Sequence, residues 1–299
     1  MQQAATAQRA QGPLVWLDMD QRALDDAYDQ LVYAPNRDQV HERNVFNSER
    51  VRARLGEPKR IAYGPTEVEK FDLFTANKPN APINVFIHGG AWRQRWAKDY
   101  AFLAEMFVNA GAHIALLDFV GVDVTKGDLM PMADQVRRAV AYIYKNAKSL
   151  GADPDKLYVS GHSSGAHLTG CVVTTDWHDY GVPQNLIKGA LTCSGMYDLK
   201  PVRMSKRSEY VTFTDEVEEK LSSQRRLDRL NCPLLVGYGT FETPEFQRQA
   251  REFAAAVKAA GKPVTLLEGQ GYNHFEMCEM IGNPLSLIGD AVLKQMKLV

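Results

Sequence analysis

The chain has 299 residues, a length that fits one large α/β domain or two small ones. Its 35 basic and 36 acidic residues nearly cancel, so the charge balance indicates neither nucleic acid nor an anionic membrane as a partner. Residues 1–12 are polar, so we expect no secretory signal. No apolar run reaches the length of a membrane span, and we expect a cytoplasmic protein.

The first predicted element is a helical N-terminal extension over residues 14–55, and two strand-like runs follow near residues 60–63 and 70–74. Strand and helix signals then alternate. The predicted strands cover residues 83–87, 113–117, 157–160, 187–193, 234–238 and 264–267. The predicted helices cover residues 100–110, 132–147, 166–173, 246–260 and 284–297. This alternation predicts one α/β domain with a mostly parallel central sheet and helices on both faces.

A charged stretch over residues 199–229 interrupts the alternation. We interpret it as a small helical insertion above the carboxyl ends of the strands. There it would form a cap together with the N-terminal extension.

A serine between two glycines follows the predicted strand 157–160, in the sequence GHSSG at residues 161–165. This pattern at a strand-to-helix junction is typical of a nucleophile elbow, whose tight turn requires glycine two residues before and after the nucleophile. The pattern favours Ser163 as the nucleophile, because the positions flanking Ser164 hold histidine and alanine. The alternative is a plain helix N-terminus capped by one of the two serines.

A second motif, HGGAW at residues 88–92, follows the predicted buried strand 83–87. Two glycines after a strand allow backbone N–H groups to turn toward a bound oxyanion without a Cβ in the way. In proteins that have a serine elbow of this type, such a loop comes earlier in the chain than the elbow. A plain glycine turn is the alternative, but histidine, paired glycines and strand context all agree with the oxyanion loop.

A serine hydroxyl needs a base, and chains with this elbow carry the acid and then the histidine later in the sequence. His274 follows the last predicted strand and is the only histidine after His178, although it could be a surface loop residue. Glu242 is the first carboxylate after the strand 234–238. Its rivals are Glu245, which would complement a helix dipole, and Asp198, which would brace a loop.

Four cysteines, Cys171, Cys193, Cys232 and Cys278, are widely spaced and form no C-x-x-C pair. They are predicted to be free, buried thiols in a reducing compartment. The histidines show no metal-binding spacing, so we expect neither a metal nor another cofactor.

With these motifs the chain resembles the α/β-hydrolase superfamily, and within it the arylformamidase (kynurenine formamidase)-like branch near the hormone-sensitive-lipase-type esterases. The resemblance rests on LDDAY at 24–28, YAPN at 33–36, HGGAW at 88–92, GHSSGAH at 161–167, TPEFQRQ at 243–249 and HFE at 274–276. It implies the α/β-hydrolase fold, and a homodimer is plausible. It also implies a triad of Ser163, Glu242 and His274, and an oxyanion hole from the backbones of Gly89, Gly90 and Ser164.

Three positions depart from that branch. Glu242 stands where the animal kynurenine formamidases carry aspartate, Asp118-Phe119 replaces the usual Asp-Tyr, and residues 121–130 lack the usual proline-rich loop. Asp118-Phe119 and residues 121–130 lie in a region that lines substrate pockets in the family, so these departures affect which substrate is expected.

The expected substrate is a small molecule, an aryl amide or formamide or a small aryl ester. The candidates for an aromatic pocket are Trp92, Phe119, His162, Tyr197 and Phe275, with core or cap packing as the alternative for each. Sequence does not distinguish an amidase from a carboxylesterase, since both use the same triad. A non-catalytic ligand-binding protein on this scaffold would be expected to lack a triad member, and none is missing.

Overall fold

The structure, a computed structural model, describes residues 12–299, and its first elements form the N-terminal extension. The extension contains β1 (Leu14–Trp16), β2 (Met19–Asp20), α1 (Gln21–Ala27), α2 (Gln30–Tyr33) and α3 (Arg37–Leu55). The antiparallel ribbon of β1 and β2 differs from the helical prediction for residues 14–55. The chain turns at Leu17, whose φ of 49° lies in the left-handed region, and Asp20 then caps α1 by accepting from the Ala23 amide.

An eight-stranded sheet follows. Its strands are β3 (Lys59–Ala62), β4 (Lys70–Phe74), β5 (Ala81–Ile87), β6 (His113–Leu117), β7 (Ala152–His162), β8 (Ile187–Cys193), β9 (Leu234–Gly239) and β10 (Val264–Gly269). The order across the sheet is β10-β9-β8-β7-β5-β6-β4-β3. Strands β5 to β10 are parallel, and β4 runs antiparallel to both of its neighbours. The carboxyl ends of the parallel strands β5 to β10 therefore lie at one edge of the sheet, where ligands bind in α/β proteins.

Helices cover both faces of this sheet. They are α4 (Ala104–Asn109), α5 (Met130–Asn146), α6 (Ser164–Val173), α7 (Leu199–Met204), α8 (Asp215–Leu221), α9 (Pro244–Ala259), α10 (His274–Met280) and α11 (Leu287–Gln295). Successive side chains of β5 point to opposite faces of the sheet and enter two separate apolar clusters. Val85 lies in the cluster with α5 and α9, and Phe86 in the cluster with α11. A parallel sheet buried on both faces confirms the predicted fold class.

Two helices differ from the sequence-based expectations. The predicted helix 100–110 begins as a 3₁₀ helix, Ala97–Leu103, which continues into α4. Helix α10 was not predicted, although its signal is present: Asn273 and Glu276 form a capping box in which each side chain bonds to the other's backbone N–H.

The segment 199–229 contains α7 and α8 and contacts the N-terminal extension directly. The guanidinium of Arg207 donates to the backbone carbonyl of Tyr28 at 2.8 and 3.2 Å, and Lys206 forms an ion pair with Asp29. These contacts join the two parts of the chain that were predicted to form a cap.

None of the helices within residues 12–299 combines the length and the apolar character that crossing a bilayer requires.

Candidate active site

Ser163 lies at the turn between β7 and α6, with φ 59° and ψ −127°, a conformation that is strained for a residue with a Cβ. A Cβ on Gly165 would collide with the carbonyl oxygen of Ile87, and one on Gly161 with Thr169. The turn therefore requires both glycines of the motif. The Ser163 side chain makes no capping hydrogen bond to any residue that the structure describes, so the helix-cap alternative does not account for it.

Three buried side chains form a continuous row of hydrogen bonds at the carboxyl edge of the sheet. The Ser163 hydroxyl lies 2.8 Å from Nε2 of His274, and Nδ1 of His274 lies 2.8 Å from Oε2 of Glu242. Ser163 is 9% exposed, His274 3% and Glu242 1%, so bulk water screens this row little. With Nδ1–H donating to the carboxylate, Nε2 is free to accept the serine proton.

The other oxygen of Glu242 is held by two donors. Ser194 Oγ donates to Oε1 at 2.6 Å, and the backbone amide of Gly239 donates to it at 2.8 Å. Ser194 is itself strained, with φ 59°. Sequence reasoning missed Ser194, although its position directly after β8, beside the strand that precedes Glu242, is the available signal.

The two rival carboxylates are engaged elsewhere. Glu245 accepts from the buried Tyr28 hydroxyl at 2.8 Å and pairs with Arg248 at 2.6 Å. Asp198 caps α7 and pairs with Arg225 at 3.1 Å.

The segment that carries His274 is fixed from the N-terminal extension. Asn36 donates to Glu276 at 2.8 Å and accepts from Asn273 at 2.7 Å. Asn36 belongs to the YAPN motif, so this motif contacts the start of α10.

The loop at residues 88–92 packs on the elbow. A Cβ on Gly89 would lie 2.8 Å from Cβ of Ser163, which leaves room only for glycine. The backbone amide of Trp92 donates to Ser164 Oγ at 3.1 Å and ties the loop to α6. Gly90, Ala91 and Trp92 all have positive φ, at 122°, 57° and 60°, which glycine adopts freely but which strains the backbone of Ala91 and Trp92. Sequence reasoning also missed this strain. The contacts of Gly89 and Trp92 bring the loop against Ser163 and Ser164.

Three of the five pocket candidates make their contacts inside the protein. Trp92 is 1% exposed, and its Nε1–H donates to Nδ1 of His167 at 3.1 Å. Tyr197 is fully buried and stacks on Phe253 with ring centroids 4.1 Å apart. His162 donates from Nε2 to the backbone carbonyl of His274 at 2.8 Å. Their contacts agree with the core-packing alternative.

The other two candidates contact histidines of the two motifs, His88 and His274. Phe119 stacks on His88 at 4.3 Å and is 3% exposed. Phe275 is half-buried, with its ring edge-on to His274 at 5.4 Å. The loops that carry Glu242 and His274 add two aromatics that the sequence interpretation did not include, Phe241 and Tyr272, which are 42% and 41% exposed.

Two further histidines near the site are buried and held neutral. Burial lowers the pKa of His88 and of His167 to about 4. His167 links the loop at residues 88–92 to the insertion, because it accepts from Trp92 and its Nε2 donates to the carbonyl of Leu221 at 3.0 Å.

We expect the free energy of unfolding to fall when the pH is lowered from about 6.5 toward 4. The unfolded chain binds protons below about pH 6.5, whereas the folded state resists protonation of His88 and His167, so their stabilisation is complete above that pH and decreases below it. The loss is about 2 kcal/mol per ring at about pH 5. Urea unfolding at about pH 7.5 and about pH 5 measures it. His167→Gln should reduce the difference by about 2 kcal/mol, the share of one ring, since burial also lowers the pKa of His162 and of His113. Equal stability at both pH values would contradict the expectation.

No group of three or more His, Cys, Asp or Glu side chains suited to a metal ion occurs in residues 12–299. A cavity of about 450 Å³ lies away from the triad, lined by residues near β3 and α3 such as Arg52, Arg60, Asp72, Trp96 and Asp118. Its two buried aspartates both pair with Arg60, so the charges of this cavity are largely satisfied within the fold.

The chain is similar to known hydrolases over most of its length. Residues 71–221 match the BD-FAE family. A kynurenine formamidase of Danio rerio is 33% identical over 242 residues, which cover 78% of this chain and 80% of the relative. An isoprenylcysteine alpha-carbonyl methylesterase of Arabidopsis thaliana is 23% identical over 241 residues, which cover 73% of this chain and 56% of the relative.

A solved structure supports the fold. The candidate thioesterase of Silicibacter sp. tm1040 superposes with a TM-score of 0.77 at 23% identity, covering 89% of this chain and 97% of its own. The chain therefore belongs to the BD-FAE family of α/β-hydrolases, in its arylformamidase- and esterase-like group, and it is a hydrolase of amide or ester bonds.

Proposed function

We propose that the protein is an arylformamidase-like serine amidase in which Ser163 is the nucleophile, His274 the base and Glu242 the acid that orients it. The observation that carries the proposal is the unbroken row of hydrogen bonds, 2.8 Å from Ser163 to His274 and 2.8 Å from His274 to Glu242. A buried histidine held by a carboxylate on one nitrogen and facing a serine on the other activates that serine for acyl transfer.

The reaction proceeds through an acyl-enzyme. His274 takes the proton of Ser163 as the oxygen attacks the carbonyl carbon, and a tetrahedral intermediate forms. We propose that the amides of Gly89, Gly90 and Ser164 stabilise its oxyanion, each by about 3 kcal/mol. His274 then protonates the leaving amine, and a water molecule activated by the same ring releases the acyl group. The cycle uses side chains and backbone amides alone.

The formamide substrate rests on the similarity to kynurenine formamidase, which is 33% identical to this chain. An aromatic leaving group is supported by the half-buried Phe275 beside His274 and by the exposed rings of Phe241 and Tyr272 on the neighbouring loops. We retain Phe119 as a pocket candidate, since its ring packs on His88 of the oxyanion loop.

A carboxylesterase is the second candidate. The Arabidopsis relative is named a methylesterase, and the same row of side chains attacks an ester carbonyl equally well. The two candidates differ at the leaving group. The nitrogen of an amide must be protonated before it departs as an amine, whereas the oxygen of an ester departs more easily, because an alkoxide is a better leaving group than an amide anion.

A panel of four matched substrates tests the proposal. It contains the N-formyl and N-acetyl amides of one aromatic amine, and the formyl and acetyl esters of the corresponding phenol. We expect kcat/KM for the N-formyl amide to exceed that for the N-acetyl amide by about tenfold or more. Hydrolysis of the esters alone would favour the carboxylesterase. No turnover of any member, with no fluorophosphonate adduct on Ser163, would favour a non-catalytic binding protein.

We also propose a cytoplasmic location and a homodimer. The location is supported by the four buried free cysteines, Cys171, Cys193, Cys232 and Cys278. The homodimer is supported by the resemblance to the family alone. Fractionation of cells and sedimentation of the purified protein test the two statements separately.

A further inference from the structure

His162, the residue immediately before the proposed nucleophile, is buried and bonded to the segment of the proposed base. It is 5% exposed, and its Nε2–H donates to the backbone carbonyl of His274 at 2.8 Å. The two imidazole rings lie 4.6 Å apart, inclined by 41°. The hydrogen bond joins β7 to the start of α10 across 112 positions of the chain.

The other side of the same ring faces the oxyanion loop. A carbonyl can only accept a hydrogen bond, so Nε2 carries the proton and Nδ1 of the neutral ring is bare. A Cβ on Gly89 would lie 3.5 Å from this Nδ1 and 2.9 Å from the His162 carbonyl oxygen. His162 therefore contacts both the proposed base and the loop proposed to hold the oxyanion, and its own peptide leads directly into Ser163.

We propose that His162 is a positioning residue that holds the backbone of His274 in register with Ser163. The inference rests on the proposed function of Ser163 and His274. Strand β7 ends at His162 and Ser163 follows directly, so the bond to His274 fixes the base relative to the same peptide that presents the nucleophile. A shift of about 1 Å at such a contact lowers the rate by about 100-fold when it moves reacting groups apart.

The contacts distinguish this role from those of the other groups around His274. Asn273 caps α10, and Phe246 packs edge-on against the His274 ring at 5.1 Å. Neither is covalently adjacent to Ser163. His162 itself is no second base, because its protonated Nε2 is occupied by the carbonyl and no bond joins its ring to the Ser163 hydroxyl in the described structure.

Two amide variants of similar polarity test the proposal. His162→Gln places an N–H near the position of Nε2, and His162→Asn places it about one bond short of the carbonyl of His274. We expect His162→Asn to lower kcat by about 10- to 100-fold with KM changed less than about threefold, and His162→Gln to recover most of the loss. The second-order rate of fluorophosphonate labelling at Ser163 should follow kcat in both variants, and hydrogen exchange over residues 274–278 should quicken only in His162→Asn.

The matched control is His113, which is 2% exposed and accepts from the backbone amide of Ala76 at 3.0 Å. It begins β6, at the edge of the sheet opposite the triad, so His113→Gln should leave kcat unchanged whatever it does to stability. Equal kcat, labelling and exchange in His162→Asn and the wild type would overturn the positioning role. Equal losses in His162→Asn and His162→Gln, in proportion to their loss of stability, would overturn it as well.

The controls also separate this proposal from the proposed function. If the wild type forms no adduct at Ser163, the proposed function fails, and exchange over residues 274–278 still decides whether His162 holds that segment. If the wild type forms the adduct at the same rate as every variant, the positioning role alone fails.

Discussion

Replacing Ser163 with alanine is expected to lower kcat by about 10⁶-fold while the protein remains folded. The hydroxyl is the atom that faces Nε2 of His274 at 2.8 Å, and no other group of the described chain is bonded to that nitrogen. Alanine has the same Cβ and therefore keeps the strained turn. Turnover of the best substrate in the panel and labelling with a fluorophosphonate measure the effect, and circular dichroism verifies the fold.

Ser164→Ala is the matched comparison. It removes the acceptor for the Trp92 amide but leaves the nucleophile, so the loss should stay near tenfold, about the value of one hydrogen bond. Substantial turnover by Ser163→Ala, or a larger loss in Ser164→Ala, would contradict the assignment of the nucleophile.

Glu242→Gln has the second largest expected effect, a fall in kcat of about 10⁴-fold. The reason lies in the two donors at Oε1, the Ser194 hydroxyl and the Gly239 amide, which both require an oxygen there. The glutamine oxygen must occupy that position, so its NH₂ group faces Nδ1 of His274. The ring then carries its proton on Nε2 and cannot accept one from Ser163.

Glu245→Gln serves as the control for Glu242→Gln. Glu245 bonds to Tyr28 and Arg248 outside the triad, so this variant should lose stability, by about 1–3 kcal/mol, and keep kcat. The pH profile and kcat of both variants, measured on folded protein, provide the comparison. A Glu242→Gln enzyme within tenfold of wild type would show that the carboxylate does not orient the base.

The sequence predicted the sheet and the row of side chains because both depend on local patterns. The glycines two residues before and after Ser163 are required by the turn that carries it. Glu242 and His274 follow strands that end at the same edge of the sheet. The carboxyl ends of parallel strands share one edge, which brings the residues that follow β7, β9 and β10 to the same side of the sheet.

The contacts that hold the site were not predicted, because they depend on which segments meet in space. Ser194 lies 48 positions from Glu242, and Asn36 lies 240 positions from Glu276. The local sequence does not indicate the pairing of Asn36 with Glu276, and for Ser194 it offers only the position directly after β8. The pocket candidates show the same limit, since Tyr197 packs on Phe253 and not at a surface, and side-chain direction is decided by distant helices.

The wide separation of the proposed triad along the chain has a consequence for folding. Ser163 and His274 are 111 positions apart, and the strands before them, β7 and β10, are separated in the sheet by β8 and β9. During synthesis the segment with Ser163 emerges well before the segment with His274. Contacts between such remote segments form slowly and late, after the loops between them have closed. A chain that ends before β10 therefore contains Ser163 without its proposed base, and recovery of activity during refolding should report the assembly of the complete sheet.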